Sequence, residues 1–127
     1  MPGIEKKKAA NELGKYAEEL AANDYISRNY TILNRNAKIG RVEVDIIAQK
    51  EDTVVFIEVK ARNSSEKEAL EAVDKDKRKR MIKAADLFLK NLEGQYNYRF
   101  DIVTAIGSKE NLKIEVFEDA FLAADLF

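Results

Sequence analysis

Apolar and polar residues alternate along Val42-Glu43-Val44-Asp45-Ile46-Ile47-Ala48 and again along Val54-Val55-Phe56-Ile57-Glu58-Val59-Lys60. A period of two predicts strands, and the hairpin-like Gln49-Lys50-Glu51-Asp52 joins them. A helical period predicts two longer elements. One covers about Glu5 to Ala22, carried by Ala10, Leu13, Ala17, Leu20 and Ala21, with Asn23-Asp24 as its stop. The other covers residues 66–92, with Ser65 as N-cap, Gly94 past its end, and a stripe of Leu70, Val73, Met81, Ala84 or Ala85, and Phe88. A short strand is expected at Tyr30–Leu33, followed by a polar turn over Asn34–Lys38 and Gly40. Strands at Tyr98–Ile106 and Leu112–Phe117 flank the turn Gly107–Asn111, and Glu118–Phe127 reads as a closing helix anchored by Phe121, Leu122 and Leu126.

The order is α-β-β-β-α-β-β-α, which predicts an α/β fold with a mixed sheet flanked by helices. The long helix between the third and fourth strands is long enough for a parallel crossover. At 127 residues the chain is expected to be one domain, 1–127.

Composition narrows the chemistry. With no cysteine and no histidine, the chain lacks disulfides, thiolate metal sites and imidazole catalysis. A metal would rest on carboxylates and backbone oxygens, which favours Mg²⁺ or Mn²⁺. The basic N-terminus lacks an apolar h-region and no apolar run is long enough to span a bilayer, so a cytoplasmic location and no membrane partner are expected. The net charge of −1 weighs a little against a nucleic-acid partner. Its distribution weighs the other way: Lys75 to Lys83 carries six basic residues and one acid.

Candidate chemistry follows from the strand pattern. Residues two apart lie roughly 6.5–7 Å apart on one face, so Glu43 with Asp45, and Glu58 with Lys60, are expected on the same side of the sheet. Adjacent strands would then gather Asp45, Glu58 and Lys60 around one point, a set suited to one hard cation and one activated water. An isolated Glu-x-Lys is most often a solvated ion pair. Here the surrounding Val54–Val59 run predicts a central strand buried on both faces, where unpaired charges are rare. Asp45 lies in a β-branched run where Asp is a poor strand former; a partly exposed edge position paired with a lysine is the less favoured reading, given the matching charges on the next strand. Lys77 falls in the apolar stripe between Val73 and Met81, where a lysine either snorkels out or meets an anion. Glu18 lies near the inner edge of the first helix among small residues, Gly14 to Ala21, as a closely packed helix pair would also show. Arg99-Phe100-Asp101 is accounted for as well by a solvated pair.

Together these residues carry a resemblance. Gly14-x-x-Ala17-Glu18-x-x-Ala21, Asn36, Glu43-Val44-Asp45-Ile46-Ile47-Ala48, Phe56-Ile57-Glu58-Val59-Lys60-Ala61-Arg62, Ala72-Val73-x-x-x-Lys77 and Arg99-Phe100-Asp101 resemble the bacterial YraN family. That family is restriction-endonuclease-like by fold, near the archaeal Holliday junction resolvases. The resemblance implies an Asp…Glu-x-Lys triad of Asp45, Glu58 and Lys60, with twelve residues between the acids. It also implies an extra acid, Glu18, from the first helix, and Lys77 pointing at the site. Val42 stands where the family usually has glycine, and Asn63–Lys67 replaces a Phe-Gly pair.

The expected function is metal-dependent phosphodiester hydrolysis in structured DNA, junctions among them. Asp45, Glu58 and the Val59 carbonyl would hold Mg²⁺ or Mn²⁺, and Lys60 and Glu18 would assist. Lys77, Arg62, Arg78 and Lys83 would meet phosphates. A homodimer is expected if junctions are resolved. The alternative is a non-catalytic nucleic-acid-binding protein with a vestigial site.

Overall fold

A computed structural model describes residues 2–62 and 74–122, and side chains from Glu12 onward. Helix α1 (Pro2–Ser27) precedes strands β1 (Thr31–Ile39), β2 (Val42–Lys50) and β3 (Thr53–Arg62). Helix α2 (Lys75–Lys90) then leads to β4 (Asn97–Ile106), a 3₁₀ turn at Lys109–Asn111, and β5 (Lys113–Phe117). The strands form one sheet in the order β1-β2-β3-β4-β5. Only β3 and β4 run parallel, from Thr53↔Asn97 to Arg62↔Ile106; the other pairs are antiparallel. The predicted crossover and mixed α/β sheet are therefore present.

The two helices cover opposite faces. Ala17, Ala21 and Tyr25 of α1 sit on Ile46, Val55, Ile57 and Val103. Met81, Ala84 and Ala85 of α2 sit on Val44, Ile47, Val54, Phe56, Phe100 and Ile102. β3 is the central strand, and Val54 to Ile57 are wholly buried. Apolar residues on both of its faces explain that position.

Three boundaries differ from the sequence expectation. Asn23-Asp24 does not stop α1, because Tyr25 continues the inward row of Ala17 and Ala21 at helical spacing and is itself fully buried. The chain turns only at Asn29, which takes the left-handed conformation (φ 72°). Asn34–Lys38 is strand, not turn: pairing with β2 continues through Arg35↔Ile46 and Ala37↔Val44 to Ile39↔Val42. A bulge between Ile32 and Asn34 absorbs one extra residue, and the reversal falls at Gly40 (φ 62°). Residues 118–122 form a turn and irregular chain where a closing helix was expected. Phe121 nevertheless anchors as foreseen, stacked on Phe100 at 4.8 Å.

The remainder of that helix, and the proposed helix start with Ser65, Leu70 and Val73, lie outside the described residues. Within them, Asp74 caps α2 by accepting the Lys77 amide at 2.8 Å. No helix among the described residues is long and apolar enough to cross a membrane.

Candidate active site

The decisive local feature is a break in the alternation of β2. Val42 and Val44 face α2, but Ile46 and Ala48 face α1 and Ile47 faces α2. The change of face occurs at Asp45. The β2–β3 ladder runs from Lys50↔Thr53 only as far as Ile46↔Ile57. Beyond it, the Asp45 carboxylate takes the place of a strand partner, and Oδ2 accepts the Val59 amide at 2.8 Å. Asp45 therefore sits in the cleft where two strands part, at the carboxyl end of the parallel pair. Open α/β sheets bind ligands at such ends.

Glu58 is 2% exposed on the α2 side of β3. Lys60, two residues on, places Nζ 3.2 Å from Glu58 Oε1. Lys77 reaches in from α2, with Nζ 3.7 Å from Glu58 Oε2 and 3.2 Å from the Glu43 carbonyl that accepts its proton. Of the two ways to explain a lysine in the apolar stripe, the anion is the one found. Glu58 Oε2 itself is buried with no hydrogen-bond partner.

Glu18 enters from the α1 side. With the Asn36 amide turned so that its nitrogen meets acceptors, Nδ2 donates to Glu43 Oε1 at 3.1 Å and to Glu18 Oε2 at 3.2 Å. Asn36 has a left-handed backbone (φ 51°), which asparagine tolerates well. Residue pattern alone offered no reason to single it out; its only sequence signal was its place in the family motif. Glu43 therefore looks toward α1, whereas Glu58 and Lys60 look toward α2. The expectation that all four charges share one face is corrected: the face change at Asp45 separates Glu43 from Glu58. Gly14 does not mark a close helix approach, since a Cβ there would meet nothing within 4 Å.

The electrostatics follow from this geometry. Burial raises the Glu58 carboxyl to about 7, and the charge of Asp45 adds to the rise against the pull of Lys77 and Lys60. Asp45 is also raised, chiefly by burial, although the Val59 amide and both lysines favour its charged form. Glu18 is raised by burial and then by Asp45.

Among the described residues no three acids form a ready metal cage. Mg²⁺ does not need one, because it is commonly held by one or two carboxylates, with waters and substrate phosphate completing its shell. Glu58 Oε2, which takes no hydrogen bond although Lys77 lies 3.7 Å away, fits that mode of binding beside Asp45.

The outer basic residues diverge. Arg62 continues the Glu58–Lys60 face and donates to the Ala61 carbonyl at 2.7 Å. Arg78 lies over the Phe121 ring at 5.5 Å. Lys83 lines a groove beside the β1–β2 turn.

Arg99 and Asp101 are not a solvated pair. Asp101 is fully buried and accepts from Tyr25 Oη (2.6 Å), Arg99 Nε (2.8 Å), Arg99 Nη2 (2.9 Å) and the Asp119 amide (3.0 Å). Arg99 Nη2 also donates to Tyr30 Oη at 3.0 Å.

Comparison with known proteins shows the family of the chain. The sequence model described as uncharacterised protein family UPF0102 matches residues 17–105. The chain belongs to this family. UPF0102 is the YraN family, so the resemblance read from the motifs holds. A UPF0102 protein of Bacteroides thetaiotaomicron is 41% identical over 112 residues, covering 87% of this chain and 93% of its own. One from Flavobacterium johnsoniae is 41% identical over 116 residues, with 87% and 94% covered. One from Chloroherpeton thalassium is 40% identical over 118 residues, with 90% and 92% covered. The matched span contains Glu18, Asn36, Asp45, Glu58, Lys60 and Lys77, so the whole constellation lies inside the family's own region.

Proposed function

We propose that the chain is a divalent-metal-dependent nuclease acting on structured DNA, branched junctions among its substrates. One observation carries the reading. A buried carboxylate oxygen, Glu58 Oε2, lacks a hydrogen-bond partner beside a partly buried acid, Asp45, and two lysines. Burying such a group without a partner costs stability, and a site that waits for a cation accounts for that cost.

Asp45 and Glu58, with the Val59 carbonyl, would hold a Mg²⁺ or Mn²⁺ ion, and Glu18, fixed by Asn36, would add negative charge beside Asp45. The bound ion would supply a Lewis acid for a phosphoryl oxygen and lower the pKa of nearby water. Lys60, 27% exposed at its side chain, has the access to orient water or to stabilise charge on the phosphate. Lys77 anchors one phosphate while tied to the Glu43 carbonyl, and Arg62, Arg78 and Lys83 neutralise others.

Among the described residues no three acids form a metal cage, which favours a second reading, a nucleic-acid-binding protein with a vestigial site. Cleavage of a four-way DNA junction separates the two. The nuclease reading expects Mg²⁺-dependent products that vanish with Asp45→Asn while DNA binding persists. Binding without cleavage in the wild type under Mg²⁺ and Mn²⁺ favours the second. Resolution of a junction requires two active sites, so the mass of the protein on its junction tests for a homodimer.

A further inference from the structure

Beside the acid cluster lies a groove of about 310 Å³ between the β1–β2 turn and α2. Its floor is apolar, built of Ile39, Val42 and Leu87, and its rim carries Arg41, Arg80 and Lys83. All three cations are exposed, and none pairs with an acid among the described residues. Leu87 is 47% exposed, a large apolar side chain left open between them. At Leu87 the groove continues into a second hollow of about 500 Å³ that shares Ile39 and Gly40 and adds Lys38.

The groove lies next to the candidate active site along both β2 and α2. Val42 in its floor adjoins Glu43, whose carbonyl accepts from Lys77. Arg80 and Lys83 follow Lys77 on the same helix, roughly 4.5 and 9 Å further along the axis. A strand with one phosphate at Lys77 therefore has its neighbouring nucleotides at the groove.

We infer that this groove binds an unpaired, splayed nucleotide strand, with phosphates on Arg41, Arg80 and Lys83 and a base laid on Leu87 and Ile39. The inference rests on the nucleic-acid reading above and extends it. Charge complementarity selects a polyanion, and the apolar floor selects among polyanions. A blunt duplex keeps its bases stacked inside and offers the rim only phosphate, leaving Leu87 uncovered. A single-stranded arm presents phosphate and an apolar base face together; single-strand-binding grooves meet that pair with basic and aromatic side chains, and here the aliphatic Leu87 and Ile39 stand in the aromatic's place. Aliphatic side chains make no directed hydrogen bonds to base edges, so the preference is for strand form and not for sequence.

The test is fluorescence anisotropy without divalent metal, comparing a blunt duplex with the same duplex carrying a single-stranded arm. Wild type is expected to bind the armed DNA at least about threefold tighter, the gain from covering roughly 30 Å² of apolar surface at ~25 cal/mol per Å². Leu87→Gln, which removes the apolar face without adding charge, should bring the armed DNA down to the blunt affinity while leaving the blunt affinity unchanged. Leu87→Ala should move the same ratio less. Leu87 is half exposed, so a thermal melt of each variant should match wild type. The double variant Arg41→Ala/Arg80→Ala should lower the salt slope for the armed DNA by about 1.4, at ~0.7 per phosphate contact on single strands. Equal wild-type affinity for the two DNAs overturns the groove and leaves the nucleic-acid reading standing, as does a Leu87→Gln loss shared equally by both. Binding to neither DNA overturns both inferences and turns the groove toward an acidic protein partner.

Discussion

Asp101 and Glu58 are both buried carboxylates on the central parallel pair, where Ile57 pairs with Asp101 and Glu58 with Ile102. One register position separates them, so they look out on opposite faces of the sheet. Asp101 faces α1 and has four donors on its two oxygens, from Tyr25, Arg99 and the Asp119 amide. Glu58 faces α2, holds Lys60 at 3.2 Å and Lys77 at 3.7 Å, and leaves one oxygen without a hydrogen bond. The same chemical group in the same sheet thus serves two ends. A fully satisfied buried carboxylate locks α1, β4 and the segment after β5 together. The half-satisfied one is where the proposed cation would sit.

The Tyr25 hydroxyl carries the mark of this lock. Its pKa is raised, first by burial and then by the Asp101 charge it donates to. Arg99 is held in its charged form chiefly by its hydrogen bonds to Asp101. Arg28 extends the tie by packing over Tyr25 at 4.5 Å and pairing with Glu118 at 2.8 Å.

The contrast is sharpest in stability. Asp101→Ala strands Arg99 beside a buried void, and urea denaturation should show a loss of about 3–5 kcal/mol. Glu58→Gln should have the opposite sign at alkaline pH. The folded Glu58 carboxyl titrates at about 7, above its ordinary 4.5, so the fold favours the protonated form. That contribution is complete below about pH 4.5 and is lost as pH rises through about 7. The wild type should therefore lose about 2–3 kcal/mol from this group between pH 4.5 and 8. Glu58→Gln should remove that slope and leave the variant the more stable at pH 8. If Glu58→Gln destabilises at pH 8 as much as Asp101→Ala does, the two carboxylates are alike and the contrast fails.

Smaller effects refine it. Tyr25→Phe deletes one hydrogen bond to a charged oxygen and should cost about 1.5–3 kcal/mol in the same denaturation assay. Mg²⁺ at ten times its dissociation constant should stabilise the wild type by about 1.4 kcal/mol. A thermal melt should register that gain in Asp101→Asn, if it folds, but not in Asp45→Asn.

Much of this was legible in the sequence where a short-range period carries the information. The alternation of β2 and β3, the stripe of α2 and the length of the crossover yielded the sheet, its parallel pair and the inward Lys77. The period failed where tertiary contacts override local preference. Asn34–Lys38 has turn-like composition, yet its backbone pairs with β2 and its Leu33, Ala37 and Ile39 neighbours reach the core. Asn23-Asp24 reads as a helix stop until the burial of Tyr25 is known. The face change at Asp45 leaves no mark in a hydrophobicity pattern, because Val44 and Ile46 are apolar whichever face they take. The Asp101 lock depends on partners 76 and 18 residues away, which no local spacing reveals.

The most direct test of the account is a calorimetric titration of Mg²⁺ and Mn²⁺ into wild type, Asp45→Asn and Glu58→Gln, each first shown to be folded by circular dichroism. Saturable binding in the wild type, weakened at least about tenfold (~1.4 kcal/mol) in both variants, is the expected result. Wild-type protein that takes up no divalent ion at millimolar concentration, or variants that bind as tightly as wild type, would contradict a cation site at Glu58 and Asp45.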